Sequence, residues 1–211
     1  MKIKWLGHSC FLLTSQSGIR VVTDPFNEKV GYRLPEVEAD VVTTSHGHGD
    51  HNHTAVIRGS FVHISQPGRY LERGIEISGT AVFHDEDNGE KRGKNTIFKF
   101  RIDGINICHC GDLGHLLTSA MVEELGAIDV LLIPVGGVYT VDAAAASEVV
   151  RQLKPGISIP MHFKTPPLNF PLDGVDRFLE LTGGTRMNRQ EIEVNKENVG
   201  GFPSVAVLNY E

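Results

Sequence analysis

Apolar positions along this chain recur in two rhythms. In the first half the runs are short and rich in β-branched or aromatic residues. They lie at 3–6, 10–14, 19–23, 41–45, 61–64, 75–83, 96–102 and 105–108, bounded by Gly, Pro, Asn, Asp or Ser. Such runs predict strands. Later the rhythm lengthens to a helical one. Residues 119–125 begin behind Thr118, whose hydroxyl can cap a helix, and stop at Gly126. Residues 142–153 carry Ala143, Ala146, Val149, Val150 and Leu153 at helical spacing and end before Pro155, while 174–181 run into Gly183 and Gly184. Strands are predicted at 130–135, 157–161 and 205–208, and no linker or low-complexity stretch interrupts the chain. Ala39-Asp40-Val41-Val42 and Ile128-Asp129-Val130-Leu131 echo each other, each leading from a buried-type strand into a glycine-containing loop. Two β-rich halves with helices predict an α/β fold of four layers, αββα, as one domain over residues 1–211.

The loop after the run at 41–45 carries the chemistry. Ser45-His46-Gly47-His48-Gly49-Asp50-His51 places three imidazoles and a carboxylate within a few residues of a strand's carboxyl end. Neutral imidazole and carboxylate suit zinc, iron or manganese. The two glycines are expected to let the loop turn sharply enough for alternate side chains to converge.

Composition narrows the field. Ten histidines support a histidine-built site, and 40% hydrophobic residues in 211 suffice for one sizeable core. A formal charge of −6 and a pI near 5.9 argue against a nucleic-acid partner held by a basic surface. No apolar stretch approaches the roughly 18 residues of a membrane span, and the N-terminus reads as a strand rather than a signal peptide. A cytoplasmic protein with a small-molecule substrate is the expectation, and the pattern leaves the oligomeric state open. The cysteines at 10, 108 and 110 are read as buried free thiols, since one residue between Cys108 and Cys110 is not the spacing of zinc or redox motifs.

His46-x-His48-x-Asp50-His51 after a strand resembles the signature of the metallo-β-lactamase superfamily, an αββα sandwich with a dinuclear metal site between its sheets. Gly7-His8-Ser9-Cys10-Phe11, Thr23-Asp24-Pro25, Gly111-Asp112-Leu113-Gly114-His115 and Val135-Gly136-Gly137-Val138-Tyr139-Thr140 resemble its small bacterial branch related to ascorbate-6-phosphate lactonase. The resemblance spans residues 1 to about 165 and implies further ligands in chain order. These are His84 ending the run at 75–83, the bridging carboxylate Asp112 and a late histidine, His162. His63 is a rival to His84, but no turn follows it. Asp24 could orient a metal-bound histidine through its second ring nitrogen, and its other reading is an Asp-Pro turn. His8 and His115 are pocket candidates or satisfied core histidines. Thr140 and Asp142 read as helix caps, and His53 and His109 as structural.

The resemblance implies a metal-dependent hydrolase. Two divalent ions, zinc with manganese or iron as alternatives, would share a bridging hydroxide that attacks a small ester, lactone or phosphodiester. Asp50 would bind the second ion and orient the nucleophile, and a metal-bound water, Asp50 or His115 would protonate the leaving group. The chain has no obvious phosphate clamp, so the lactonase's substrate does not carry over. An iron-dependent redox enzyme and a non-catalytic metal-binding protein are the alternatives, against which stands the complete set of seven ligands.

Overall fold

Alternating burial builds the first sheet. Ile3 pairs with Leu13, Trp5 with Phe11, and Val21 with both Leu13 and Val41, all facing the main core. Leu6, Cys10, Val22 and Val42 face the other way, into a smaller cluster with Phe26, Val30 and Tyr32. The computed structural model describes residues 1–33 and 35–210. The six strands of this sheet run in space as Glu191–Glu193, Lys2–Gly7, Cys10–Thr14, Arg20–Thr23, Val41–Thr43 and Val62–Ile64. The last three are parallel to one another.

A second sheet of six faces it, in the order Ile157–Met161, Val130–Pro134, Ile105–His109, Lys94–Ile102, Ile75–Phe83 and Gly68–Glu72. Its first three strands are parallel, and every residue of Val130–Pro134 and Ile157–Met161 is buried, as strands covered on both faces must be. Phe98 and Phe100 are fully buried here, and truncating either to alanine would cost about 3–5 kcal/mol.

The helices fall where the longer rhythm placed them: α1 (Ser119–Leu125), α2 (Ala143–Leu153) and α3 (Asp176–Thr182). Thr118 accepts from Met121 N at the start of α1, and Asp142 caps α2 by accepting from Ala145 N at 2.8 Å. Ala143, Ala146, Val149 and Leu153 form the buried stripe of α2. The result is the αββα sandwich. Over the first sheet its outer layer is thin, made of the 3-10 turns Glu28–Val30 and Thr54–Val56 and the segment 168–172.

Two edge strands were not legible in the hydrophobic pattern. Gly68–Glu72 alternates half-buried and exposed residues, with Leu71 70% exposed, and Glu191–Glu193 buries only Ile192. Polar edge strands resist pairing with other chains, which is why they carry little apolar signal.

Candidate metal centre

The site residues share a position in the topology. His8 follows Gly7, Asp24 follows Thr23, His84 follows Phe83 and His162 follows Met161. His46 and Asp112 lie a few residues beyond Thr43 and His109. Strand carboxyl ends of both sheets thus open onto one cleft, the usual place for a site in parallel α/β sheets. Three of these residues, His8 (φ 50°), Asp24 (φ 41°) and His162 (φ 50°), adopt left-handed backbone. Such conformations are disfavoured for non-glycine residues and concentrate at functional sites.

The loop at 45–51 does not turn as its glycines suggest. Neither Gly47 nor Gly49 has positive φ or close neighbours that exclude a side chain; a bond from His51 N to His48 O at 3.0 Å closes the turn instead. At Gly111, by contrast, glycine is required. It has φ 53°, and a Cβ there would overlap Asn95 and Ser45.

Two groups of side chains meet in the cleft. His46, His48 and His84 form one. His8, Asp50, His51 and His162 form the other, with the candidate ligand atoms in each group within 4.8 Å of one another. Between them sits Asp112, whose Oδ2 lies 3.1 Å from His84 Nε2, 3.3 Å from both His51 Nε2 and His162 Nε2, and 4.0 Å from His46 Nε2. All seven residues of the expected ligand set are therefore gathered. His8 is drawn in more tightly than its sequence position suggested, its Nε2 donating to Asp50 Oδ2 at 3.2 Å.

Asp24 sets ring orientation in both groups. It is fully buried and accepts from Ser45 N at 2.7 Å, Ser45 Oγ at 2.6 Å and His51 Nδ1 at 2.9 Å. Since Ser45 Oγ gives its proton to Asp24, His46 Nδ1 must donate to Ser45 Oγ, at 2.9 Å, which leaves the His46 Nε2 lone pair facing the cleft. One carboxylate thereby fixes His51 directly and His46 through a hydroxyl.

His115 stands apart. Its Nε2 accepts from Phe83 N at 3.1 Å and its Nδ1 donates to Leu116 O at 2.7 Å. With both ring nitrogens committed to the main chain, it braces the strand end that presents His84 and has no free atom for proton transfer. The expectation of a catalytic His115 is corrected accordingly. His109 is likewise structural, donating to Ser9 O and accepting from Gly111 N, and His63 bonds Thr44 on the edge strand.

Burial and charge set the protonation states. Burial, helped by His51, lowers His46 to about 3; burial and His162 lower His8 to about 4; burial and His84 lower His48. Burial would also lower His51, but Asp112, Asp24 and Asp50 outweigh it and hold this imidazole well above its usual range. Burial would raise the carboxyls of Asp112 and Asp50, yet His162 and His51 hold the first well below the ordinary range, and His51 and His8 hold the second below it.

The donor set fits divalent cations on an observation of its own. Buried His46 Nε2, whose lone pair faces the cleft, and buried Asp112 Oδ1 have no hydrogen-bond partner. Buried polar atoms are rarely left so, and two acceptors beside further carboxylates and imidazoles call for a cationic occupant to offset their desolvation.

Other supports carry no motif. Asn95 donates to Cys110 O at 2.8 Å and accepts from Asp112 N at 3.1 Å, pinning the loop that carries Asp112. Asp85, beside His84, accepts from four backbone amides, those of Asp87, Gly89, Lys91 and Arg92, and so folds the loop at 85–92 around itself. Asn27 Nδ2 donates to Gly49 O, tying a neighbouring loop to the histidine turn.

The profile of the β-lactamase superfamily domain matches residues 2–162. The chain belongs to this superfamily. A UPF0173 metal-dependent hydrolase of Archaeoglobus fulgidus is 34% identical over 200 residues, 80% of this chain and 85% of that protein. Another, from Thermoplasma acidophilum, is 32% identical over 223 residues, covering 92% and 96%. A Thermotoga maritima crystal structure, assigned to the Zn-dependent hydrolases of the metallo-β-lactamase superfamily, matches with a TM-score of 0.83 at 43% identity, over 98% of this chain and 97% of that one. The relatives include archaeal proteins, so this branch is not confined to bacteria. Among the described residues no helix is long and apolar enough to cross a membrane.

Proposed function

We propose that this member of the superfamily holds two divalent ions and hydrolyses a small ester, lactone or phosphodiester. The observation that carries this reading is Asp112 Oδ2, within 3.1–3.3 Å of imidazole nitrogens from both groups, where a single carboxylate can serve two ions. His46, His48 and His84 would hold one ion, and Asp50, His51 and His162 the other, with Asp112 shared. Ions bound there supply Lewis-acid polarisation and a water of lowered pKa. Zinc fits an imidazole-rich set and is the metal named for the Thermotoga relative, while manganese and iron suit the same ligands.

The chain's own groups supply the rest. Asp50 has 23% of its side chain exposed, the most open carboxylate of the site, so it can take a proton from a bound water and return it to a leaving group. His8 donates to that carboxylate and holds its orientation. Asp24 keeps His51 and, through Ser45, His46 facing the cleft. Metal analysis of protein purified without added metal, paired with a screen of chromogenic esters, lactones and phosphodiesters, tests the proposal. About two ions per chain with metal-dependent turnover supports it; one ion, or full loading without turnover on any substrate, overturns it.

A further inference from the structure

A line of rings leads from the metal groups to the surface. The His8 ring lies 5.7 Å from Phe170, Phe170 lies 6.2 Å from Tyr139, and the Arg92 guanidinium stands 5.6 Å from the Tyr139 ring. His8 is hydrogen-bonded to Asp50, so this line begins inside the cleft. Its outer end is apolar surface left in water: Val138 is 52% exposed and Tyr139 36%.

The rim is held in place at some cost. Val138, a β-branched residue, has φ 60°, a conformation such residues rarely adopt. Arg92 Nη2 donates to Val138 O at 3.0 Å, and Tyr139 N donates to Gly137 O at 2.6 Å, which together fix the strained turn. On the opposite side Lys164 Nζ donates to Phe170 O at 3.0 Å and to Leu168 O, and Asn169 bonds the main chain at Lys29 and Val30. Arg92 and Lys164 thus bind carbonyls at the apolar residues themselves and place their rings and methyls. A strained, exposed β-branched residue is the kind of backbone outlier that concentrates at functional sites.

We propose that Val138, Tyr139 and Phe170 form the specificity wall of this site, and that the substrate carries a bulky apolar group, such as an aryl or branched acyl portion, beside its scissile bond. Arg92 and Lys164 are positioning residues for that wall. The inference rests on the metal-centred reading of the cleft, and its test separates the two.

Methylphosphonate and phenylphosphonate share the anionic head that a metal centre binds and differ only in the group the wall would meet. Calorimetric titration of the metal-loaded protein should show phenylphosphonate binding about tenfold or more tighter, the return expected from covering a ring with apolar surface. Tyr139→Ser lies on the exposed rim and leaves the core intact; it should cut that ratio severalfold with metal content and melting temperature unchanged. Phe170→Ser is the deeper probe and should bring the ratio near one. Arg92→Met should lower it partway, because the turn loosens while the ring remains. Equal affinity for the two phosphonates in the native protein, or an undiminished ratio in Tyr139→Ser and Phe170→Ser alike, would overturn the wall. If neither phosphonate binds unless the protein is stripped of metal, the metal-centred reading itself fails. In turnover the same preference should appear as a higher kcat/KM for benzoyl than for acetyl esters of one leaving group, and its absence would count against the wall alone.

Discussion

The two halves of the cleft are built from different materials. His46, His48 and His84 form a half made of imidazole alone, and burial with like neighbours lowers His46 to about 3 and His48 below its ordinary value. The other half mixes imidazoles with carboxylate: Asp50 lies 3.2 Å from His8 and 3.5 Å from His51, and Asp112 lies 3.3 Å from His51 and His162. There the metal-free protein already compensates itself, with a proton on His51 standing where a cation would sit. The difference teaches that His46 and His48 are preorganised as neutral donors, whereas in the carboxylate half His51 must exchange its proton for metal.

The pivot is the place to break this comparison. Asp112→Ala removes the carboxylate that lies 3.3 Å from two histidines of the carboxylate half and 3.1 Å from one of the imidazole half, so it should lose the second ion first and weaken the other. Activity should fall by more than the roughly 10–100-fold typical of residues that only support ligands. Metal content by mass spectrometry alongside turnover reads both, and two ions held at native affinity would show that the halves do not share Asp112.

Asp24 sharpens the comparison because it stands behind both halves through different routes. Asp24→Asn should lower affinity in each by about 10–100-fold, as loss of a tautomer-fixing partner does. Ser45→Ala cuts only the route to His46 and should weaken the imidazole half alone. Equal losses at both sites in Ser45→Ala would show that the relay through the hydroxyl has the wrong topology.

Proton release gives a smaller but direct reading. His51 is held above its usual pKa without metal, so at pH 7 it carries a proton that an arriving ion must displace. His46, lowered to about 3, is neutral at that pH and releases none. Filling the carboxylate half should therefore displace the His51 proton, while His46 contributes none to filling the imidazole half, so the first event should release more protons, measured by calorimetry in buffers of different ionisation enthalpy. The sign for stability follows: in the metal-free protein the raised pKa of His51 contributes stability that is fully present below about 6.5 and is lost as pH rises through its folded value. Identical proton release for both ions would remove the asymmetry.

Much of this was visible in the sequence, for physical reasons that also mark where legibility ends. The cluster His46, His48, Asp50 and His51 beside a strand end has a local signature of its own, whereas His84, Asp112 and His162 are legible only through the resemblance to the metallo-β-lactamase superfamily. The strands that bury one face or two, such as Val41–Thr43 and Val130–Pro134, announce themselves through β-branched residues. Ser45, Asn95 and Asp85 were illegible because they act by bonding main chain or a neighbour's ring, and a serine, an asparagine or an aspartate in a loop has no spacing that says so. The rim at Val138, Tyr139 and Phe170 was illegible for another reason: its parts lie on separate loops, and only the closed sandwich brings them beside His8.

His115 provides the smallest effect and the finest test of which half does acid–base work. A general acid there would place proton transfer behind the imidazole half, and His115→Ala would then lower kcat by about 10²–10⁴-fold and erase one limb of the pH profile. The structure points the other way. Nε2 of His115 accepts from Phe83 N and its Nδ1–H is committed to Leu116 O, so the ring steadies the strand end before His84. His115→Ala should leave one main-chain amide without its acceptor, at about 1–3 kcal/mol, and lower the melting temperature by a few degrees. Turnover should drop only severalfold, with both limbs of the pH profile in place, because the open carboxylate Asp50 remains. A lost limb in His115→Ala would move proton transfer to the imidazole half and undo the division of labour argued for the cleft.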